Sequence, residues 1–261
     1  LTFALNSFAD SHHKAYIRGF GLMADSVTAG YTHRTGGVIS IVSHSPVALF
    51  NQIIVNDDSA NERDMETALA AMSGTGLRFA VSLRSERDSR FAPVLEESGM
   101  ILADTGPAMA MAPIPDHPMP PDSEIRSGVG VRDDHIRVTA EGFGFSAEML
   151  ESVLVPRMAE QSDVTFYTGY VDDQPVTASL GFIDHGSISV FNVAAVEEHR
   201  GKGYGAAMTM RAVIDGRDRD CDVAFLQSTE MGYSIYERLG FETIFDYDLW
   251  EVAPTAEKAA G

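Results

Sequence analysis

Residues 188–205 read I-S-V-F-N-V-A-A-V-E-E-H-R-G-K-G-Y-G, and few chain paths accommodate that string. Ile188, Val190, Val193 and Val196 are β-branched and suit a strand. Gly201, Gly203 and Gly205 fall at every second position and suit a loop, and Ala206, Ala207, Met210, Val213 and Ile214 then recur at helical spacing. A strand, a glycine loop and a helix in immediate succession form an anion-binding device. Glycine has no Cβ, so the backbone can bring several N–H groups close to a ligand, and the helix that follows leaves its first N–H groups unpaired with its positive dipole end pointing the same way. A phosphate fits such a site. Arg200 and Lys202 add two cations beside it, in a chain whose formal charge is −19.

That charge argues against sequence-independent binding to DNA or RNA, which needs clustered Lys and Arg to neutralise phosphates. It leaves two readings open: steering of cationic small molecules or peptides, or an acidic surface that serves solubility or a salty habitat. No apolar run approaches the ~20 residues that cross a bilayer, and the first residues lack a basic segment followed by an apolar core, so a cytoplasmic protein with no membrane partner is expected. The one cysteine, Cys221, cannot form an intramolecular disulfide and precedes a strand of buried type, where packing suits it better than nucleophilic work. The eight histidines show no paired spacing of the kind a zinc helix needs, so no metal is expected. A dinucleotide fold would place G-x-G-x-x-G at the start of a strand–helix–strand unit, whereas these glycines alternate and follow a meander.

Along the chain, interpretable pattern begins at Gly37. Residues 37–55 suggest two adjacent strands, and the helix after them carries Met65, Ala68, Leu69 and Met72 on one face, with Asn61 and Asp64 placed as a capping pair. A strand over 77–83, a short helix over 91–97 and a strand over 101–111 complete the first half. Pro113, Pro115, Pro118, Pro120 and Pro121 then mark an extended linker. In the second half a strand is expected near 135–138, then a helix capped by Ser146 that runs until Pro156. Strands over 164–170 and 175–183 follow, joined by the Asp172-Asp173-Gln174 turn and leading through Asp184-His185-Gly186 into the opening stretch. After the glycine loop come a strand over 223–227, a short helix over 233–239 and a closing strand region over 241–252. Both halves therefore end in one order, and E-E-S-G-M (96–100) parallels E-R-L-G-F (237–241). A duplicated unit is the economical reading: domains over 1–112 and 133–261, with a Pro-rich linker over 113–132.

The second half resembles the GNAT superfamily of N-acetyltransferases. That family's signature is Arg or Gln, two residues, Gly, one residue, then Gly or Ala, and Arg200, Gly203 and Gly205 fill those places. The lead-in from Asn192 is similar to the family's fourth strand, and Q-S-T-E-M-G-Y-S-I-Y-E-R-L-G-F (227–241) resembles its fifth strand and following helix. The resemblance extends over residues 133–252 and is strongest over 191–241. It implies an α/β (α+β) fold of two tandem GNAT-like domains, each a mixed, mostly antiparallel sheet flanked by helices and splayed between its fourth and fifth strands. It implies acetyl-coenzyme A as co-substrate. The pantetheine arm would pair with the backbone of Val196, and the pyrophosphate would be held by backbone N–H groups of Gly201, Lys202, Gly203, Tyr204 and Gly205. The first half looks like the same fold in degenerate form, because Asp57 and Asp58 stand where the loop would be and would repel a pyrophosphate.

Acyl transfer from a thioester to an amine needs a neutral amine, a polarised carbonyl and a proton for the departing thiolate. The resemblance places Tyr236 beside the coenzyme sulfur as the proton donor. Backbone near Ala195 and Val196 would serve the thioester oxygen. Asn192 and Glu230 are both candidates to contact the acceptor, directly or through water, and neither is preferred. The expected activity is N-acetylation of a primary amine on a small molecule or peptide, by a monomer or homodimer. The alternative is a non-catalytic sensor that binds an acyl-coenzyme A.

Overall fold

The computed structural model describes residues 8–116 and 124–253. The first half consists of α1 (Ala9–Ser26), β1 (Tyr31–Thr35), β2 (Val38–Val42), β3 (Gln52–Val55), α2 (Glu62–Gly74), β4 (Ala80–Arg84), α3 (Ala92–Glu97) and β5 (Met100–Met111). The second consists of β6 (Glu124–Ser127), α4 (Arg132–Phe143), α5 (Ala147–Glu151), α6 (Pro156–Ala159), β7 (Val164–Val171), β8 (Gln174–Asp184), β9 (Ser187–Ala195), α7 (Tyr204–Arg217), β10 (Val223–Gln227), α8 (Glu230–Leu239) and β11 (Glu242–Val252). From β2 onward the first half repeats the order of the second from β8 onward: two antiparallel strands, helix, parallel strand, helix, long closing strand. The second-half turns form as the sequence predicts, with Asp172, Asp173, His185 and Gly186 all at positive φ.

The closing strands are exchanged. All described strands join one eleven-stranded sheet in the order β1-β2-β3-β4-β11-β5-β10-β9-β8-β7-β6. β11 runs antiparallel to β4 of the first half, with Trp250 opposite Val81, and β5 runs antiparallel to β10 of the second, with Ala110 opposite Phe225. The repeated series β2 to β5 and β8 to β11 each supply the strand that finishes the other's portion of the sheet. Within the expected linker, residues 124–127 form β6 and pair with β7, while Pro118, Pro120 and Pro121 lie outside the described residues.

Alternation along the strands divides the core between the two faces. Ile53 packs with Met65, Leu69 and Met72 of α2, whereas Ile54 packs with Tyr16 and Ile17 of α1 on the opposite face. In the second half α7 and α8 cover the α2 side, where Met208, Val213, Leu226 and Phe241 share one cluster. The α1 side is closed by α1 itself, which spans both halves: His12 Nε2 donates to the Leu226 carbonyl of β10 at 3.1 Å, and His13 Nε2 donates to the Val55 carbonyl of β3 at 2.6 Å. Leaving such a buried group unpaired costs about 1–3 kcal/mol, so these two contacts fix the helix across the sheet.

Two differences from the sequence reading have physical reasons. The residues 135–138 expected as a strand lie inside α4, because the alternation of Ile136 and Val138 about Arg137 comes from a helix buried on two sides: Ile136 and Ala140 face one cluster, Val138 another. The helix capped by Ser146 is two short helices, α5 and α6, the second beginning at Pro156, whose fixed φ suits a first helical position.

Candidate active site

β9 and β10 lie parallel and pair from Ser187–Val223 as far as Val190–Leu226; beyond that, residues 191–195 run on without a partner from β10. The parting begins at a bulge. Ser179 on β8 is skipped in the pairing between Ala178–Ala194 and Leu180–Phe191, and Asn192 takes a φ of 53°, a conformation that asparagine tolerates better than most residues. The bulge turns β9 away from β10 and opens a cleft at the middle of the sheet.

α7 starts at the head of this cleft. Its N-cap is Gly203, at φ 86° and with no side-chain cap, and Gly201 sits at φ 73°. A Cβ added at either glycine meets nothing within 4 Å, so the left-handed backbone alone selects glycine there. The N–H groups at the start of α7 are left without a side-chain acceptor, next to the exposed ammonium of Lys202. The Arg200 guanidinium instead binds the Gly142 carbonyl at 2.9 Å and the Ala195 carbonyl at 3.3 Å, tying the loop to the C-terminal end of α4 and to β9. Arg200 therefore shapes the loop in this structure. The Val196 N–H donates to the Val176 carbonyl at 3.0 Å, so that donor is already paired with β8. Successive residues of a strand present their N–H and C=O to opposite edges, which turns Ala195 toward the cleft.

The first half has the same strand parting and has filled it. β3 and β4 pair from Gln52–Ala80 to Ile54–Ser82 and then separate. There His13 donates to Val55 and its Nδ1 accepts from the Tyr247 hydroxyl at 2.7 Å, while the Tyr16 hydroxyl donates to Gln52 Oε1 at 3.1 Å. Arg84 and Asp88 form a buried two-pronged pair, Nε–Oδ2 at 2.7 Å and Nη2–Oδ1 at 2.9 Å. The N-terminus of α2 is capped by its own residues: Asn61 accepts from the Asp64 N–H, and Asp64 accepts from the Asn61 N–H. Asp57 and Asp58 are paired with Arg34 and Arg87. The helix end that is open in the second half is closed in the first.

A cavity of about 290 Å³ opens from the β9–β10 cleft. Asn192, Val193, Gln227, Ser228 and Tyr236 line its second-half wall, and Tyr16, Phe20, Phe50, Asp104 and Gly106 line its first-half wall. Tyr236 is 8% exposed, and burial pushes its hydroxyl up to about 12, with the Thr209 hydroxyl acting in the opposite sense. It is a neutral phenol, able to donate a proton. Its ring is accommodated by Gly232 one turn earlier in α8, where a Cβ would lie 2.7 Å from Tyr236 Cε2. Glu230 is exposed in the first turn of α8, capped by Thr229, and does not line the cavity. Among the residues singled out in the sequence, the structure thus brings Tyr236 and Asn192 to one cavity beside the glycine loop and leaves Glu230 outside.

The first-half wall went unrecognised in the sequence. Its signal in α1, the helical recurrence of Ala15, Tyr16, Ile17, Phe20, Met23 and Ala24, is preceded by the buried His12 and His13, which read as surface residues. Nothing in the sequence marks Asp104, because strand exchange brings it to the cavity. Among the described residues no helix is long and apolar enough to cross a membrane, and no cluster of three His, Cys, Asp or Glu is placed to hold a metal ion.

No protein-family model and no curated protein matches the sequence. Solved structures do match its fold. A GCN5-related N-acetyltransferase from Kribbella flavida superimposes with a TM-score of 0.72 at 19% identity, over 95% of this chain and 96% of that one. A tandem GNAT protein from the clavulanic acid biosynthesis pathway gives 0.57 at 12% identity, over 95% and 97%. A GCN5-related N-acetyltransferase from Sphaerobacter thermophilus gives 0.58 at 15% identity, over 84% and 78%. The chain has the tandem GNAT fold, as the glycine signature and the repeated order of elements led one to expect.

Proposed function

We propose that the protein is an acetyl-coenzyme A-dependent N-acetyltransferase with one working site, in its second half. The observation that carries this reading is the contrast between the two helix ends: α2 is capped by Asn61 and Asp64, whereas α7 begins at the uncapped Gly203 beside a parted strand pair. Open N–H groups at a helix start favour a phosphate anion, and the parted edge of β9 offers a backbone partner to an extended amide-bearing arm such as pantetheine. The residues fit that group. Gly201 to Gly205 would hold the pyrophosphate, the Ala195 backbone would meet the arm, and the thioester would sit toward Asn192 and Tyr236.

When bound, the coenzyme supplies an activated acyl carbonyl. The acceptor ammonium first releases a proton to solvent at the cavity mouth. A neutral amine beside that carbonyl would form the C–N bond as the C–S bond breaks, and the Tyr236 hydroxyl would supply the proton that the leaving thiolate needs. The proton shed by the acylated nitrogen restores the phenol. A hydroxyl pushed up to about 12 stays protonated at neutral pH, so the phenol is present in its donor form. The likeness to solved N-acetyltransferases supports the reading at the level of fold.

Titration calorimetry with acetyl-coenzyme A, paired with thiol release in the presence of a panel of primary amines, tests it. The expected result is one coenzyme site per chain and amine-dependent release. Binding without turnover of any amine would favour a sensor, and absence of binding would remove the reading altogether.

A further inference from the structure

The cavity carries one formally charged side chain, and that residue comes from the first half. Asp104 lies on β5, opposite Leu249 of β11 and on the same strand face as Gly106. One of its carboxylate oxygens accepts from the Thr105 N–H at 2.9 Å; among the described residues the other has no partner, and Asp104 forms no ion pair. Its neighbour Asp248 is committed elsewhere, to the hydroxyls of Ser85 and Thr105 at 2.8 and 2.9 Å, and projects from the opposite face of the sheet. The other titratable groups of the lining, Tyr16, Tyr236 and Tyr247, are all phenols that burial holds neutral. Asp104 is exposed at the edge of the cavity, and five phenylalanines, Phe20, Phe50, Phe143, Phe145 and Phe191, make up much of the remaining lining beside the polar Thr139, Asn192, Gln227, Ser228 and Thr229. Phe20, Phe50 and Phe191 also border a second, smaller void of about 50 Å³ whose remaining walls include Leu22, Met23, Leu154 and Met158.

This arrangement discriminates among amines. An ammonium placed against Asp104 exchanges its hydration for a charge-assisted hydrogen bond. Away from the amides and hydroxyls of Asn192, Gln227, Ser228 and Thr229, a second ammonium or a ring of hydroxyls would meet phenyl faces and be left without an acceptor. Resting on the acetyl-transfer reading above, we infer that the acceptor is a monoamine, one primary amine on an aromatic or branched apolar body, with Asp104 as the residue that holds its ammonium and the phenylalanine walls enclosing the rest. The exchanged strand thus supplies acceptor specificity while the second half supplies coenzyme binding. Asp104 acts before chemistry: it concentrates and orients the cation, which then releases its proton to water at the cavity mouth.

The test uses the full chain. Thiol release from acetyl-coenzyme A is measured with phenethylamine, isoamylamine, spermidine and kanamycin, for the unaltered protein and for Asp104→Asn and Asp104→Glu. Calorimetry measures phenethylamine binding without coenzyme and acetyl-coenzyme A binding without amine. The expected result is a kcat/KM for phenethylamine or isoamylamine at least tenfold above those for spermidine and kanamycin. Asp104→Asn should raise the KM of the monoamine about tenfold, leave the KM of acetyl-coenzyme A unchanged and weaken phenethylamine binding to match; Asp104→Glu should recover part of the loss. A preference for spermidine or kanamycin, or phenethylamine binding indifferent to Asp104→Asn, overturns the inference while amine-dependent release still upholds acetyl transfer. Failure of acetyl-coenzyme A to bind, with phenethylamine binding still dependent on Asp104, overturns the transfer reading and leaves the amine site standing.

Discussion

Gly232 and the Tyr236 ring occupy space that only a hydrogen at position 232 leaves free, since a Cβ there would stand 2.7 Å from Tyr236 Cε2. The pair allows two kinds of damage to be separated. Tyr236→Phe keeps the ring and removes the proton, so kcat should fall by about 10²-fold or more with the coenzyme Kd unchanged. Gly232→Ala keeps the proton and displaces the ring; it should cost about 1–3 kcal/mol in stability and lower kcat through misplacement. Steady-state kinetics with denaturant unfolding checks both, and a Tyr236→Phe enzyme of full activity would remove Tyr236 as the acid.

The glycines of the loop should respond differently from one another. Gly203, at φ 86°, loses about 1–2 kcal/mol on replacement by Ala because an L-residue is strained there. Gly205 has no positive φ, and its added Cβ would only touch Val193 Cγ1 at 3.8 Å. Gly205→Ala should therefore leave the unfolding midpoint where it is and weaken coenzyme binding about tenfold, or ~1.4 kcal/mol, if ligand phosphates approach that backbone. Calorimetry with coenzyme A reads the difference.

Acid should destabilise the fold before its carboxylates titrate. Burial lowers His12, His13 and His135 from 6.5 to about 4, with the Arg84 charge adding to the effect at His13. Above pH 6.5 these side chains are neutral in both folded and unfolded chains and contribute no pH dependence. Between 6.5 and 4 the unfolded chain binds up to three protons that the folded one does not, so stability falls as pH falls, by as much as ~1.4 kcal/mol per pH unit for each histidine. Urea midpoints measured from pH 7.5 to 4.5 check the slope. His12→Gln or His13→Gln should flatten it by about one proton each.

Separating the halves should fail. A chain of residues 133–253 lacks β5, which leaves the edge of β10 unpaired and β11 without either neighbour. Such a fragment is expected to aggregate through its open edges, and co-expression with residues 1–116 should return soluble protein. Fractionation after expression, alone and together, decides it.

What the sequence disclosed and what it withheld follow from locality. The glycine loop, the cap formed by Asn61 and Asp64, the Asp172-Asp173 turn and the Tyr236 helix are written in neighbouring residues, whose backbone demands can be read directly. The wall formed by Tyr16, Phe20, Phe50 and Asp104 depends on which strand lies next to which. α1 hid behind two histidines that look like surface residues until the carbonyls of Val55 and Leu226 appear as their partners. The alternation at Ile136 and Val138 has a strand's period only because α4 is buried on two sides.

Crossing the last strands makes the two copies mutually dependent while freeing them to diverge. Two identical chains that traded this strand would form twin clefts, each bound to keep the same loop and the same walls. In one continuous chain that symmetry is lifted, and a change at Asp104 leaves the glycines at 201–205 untouched. On the proposed reading, a duplicate built this way could alter the amine it accepts without renegotiating the coenzyme that supplies the acyl group.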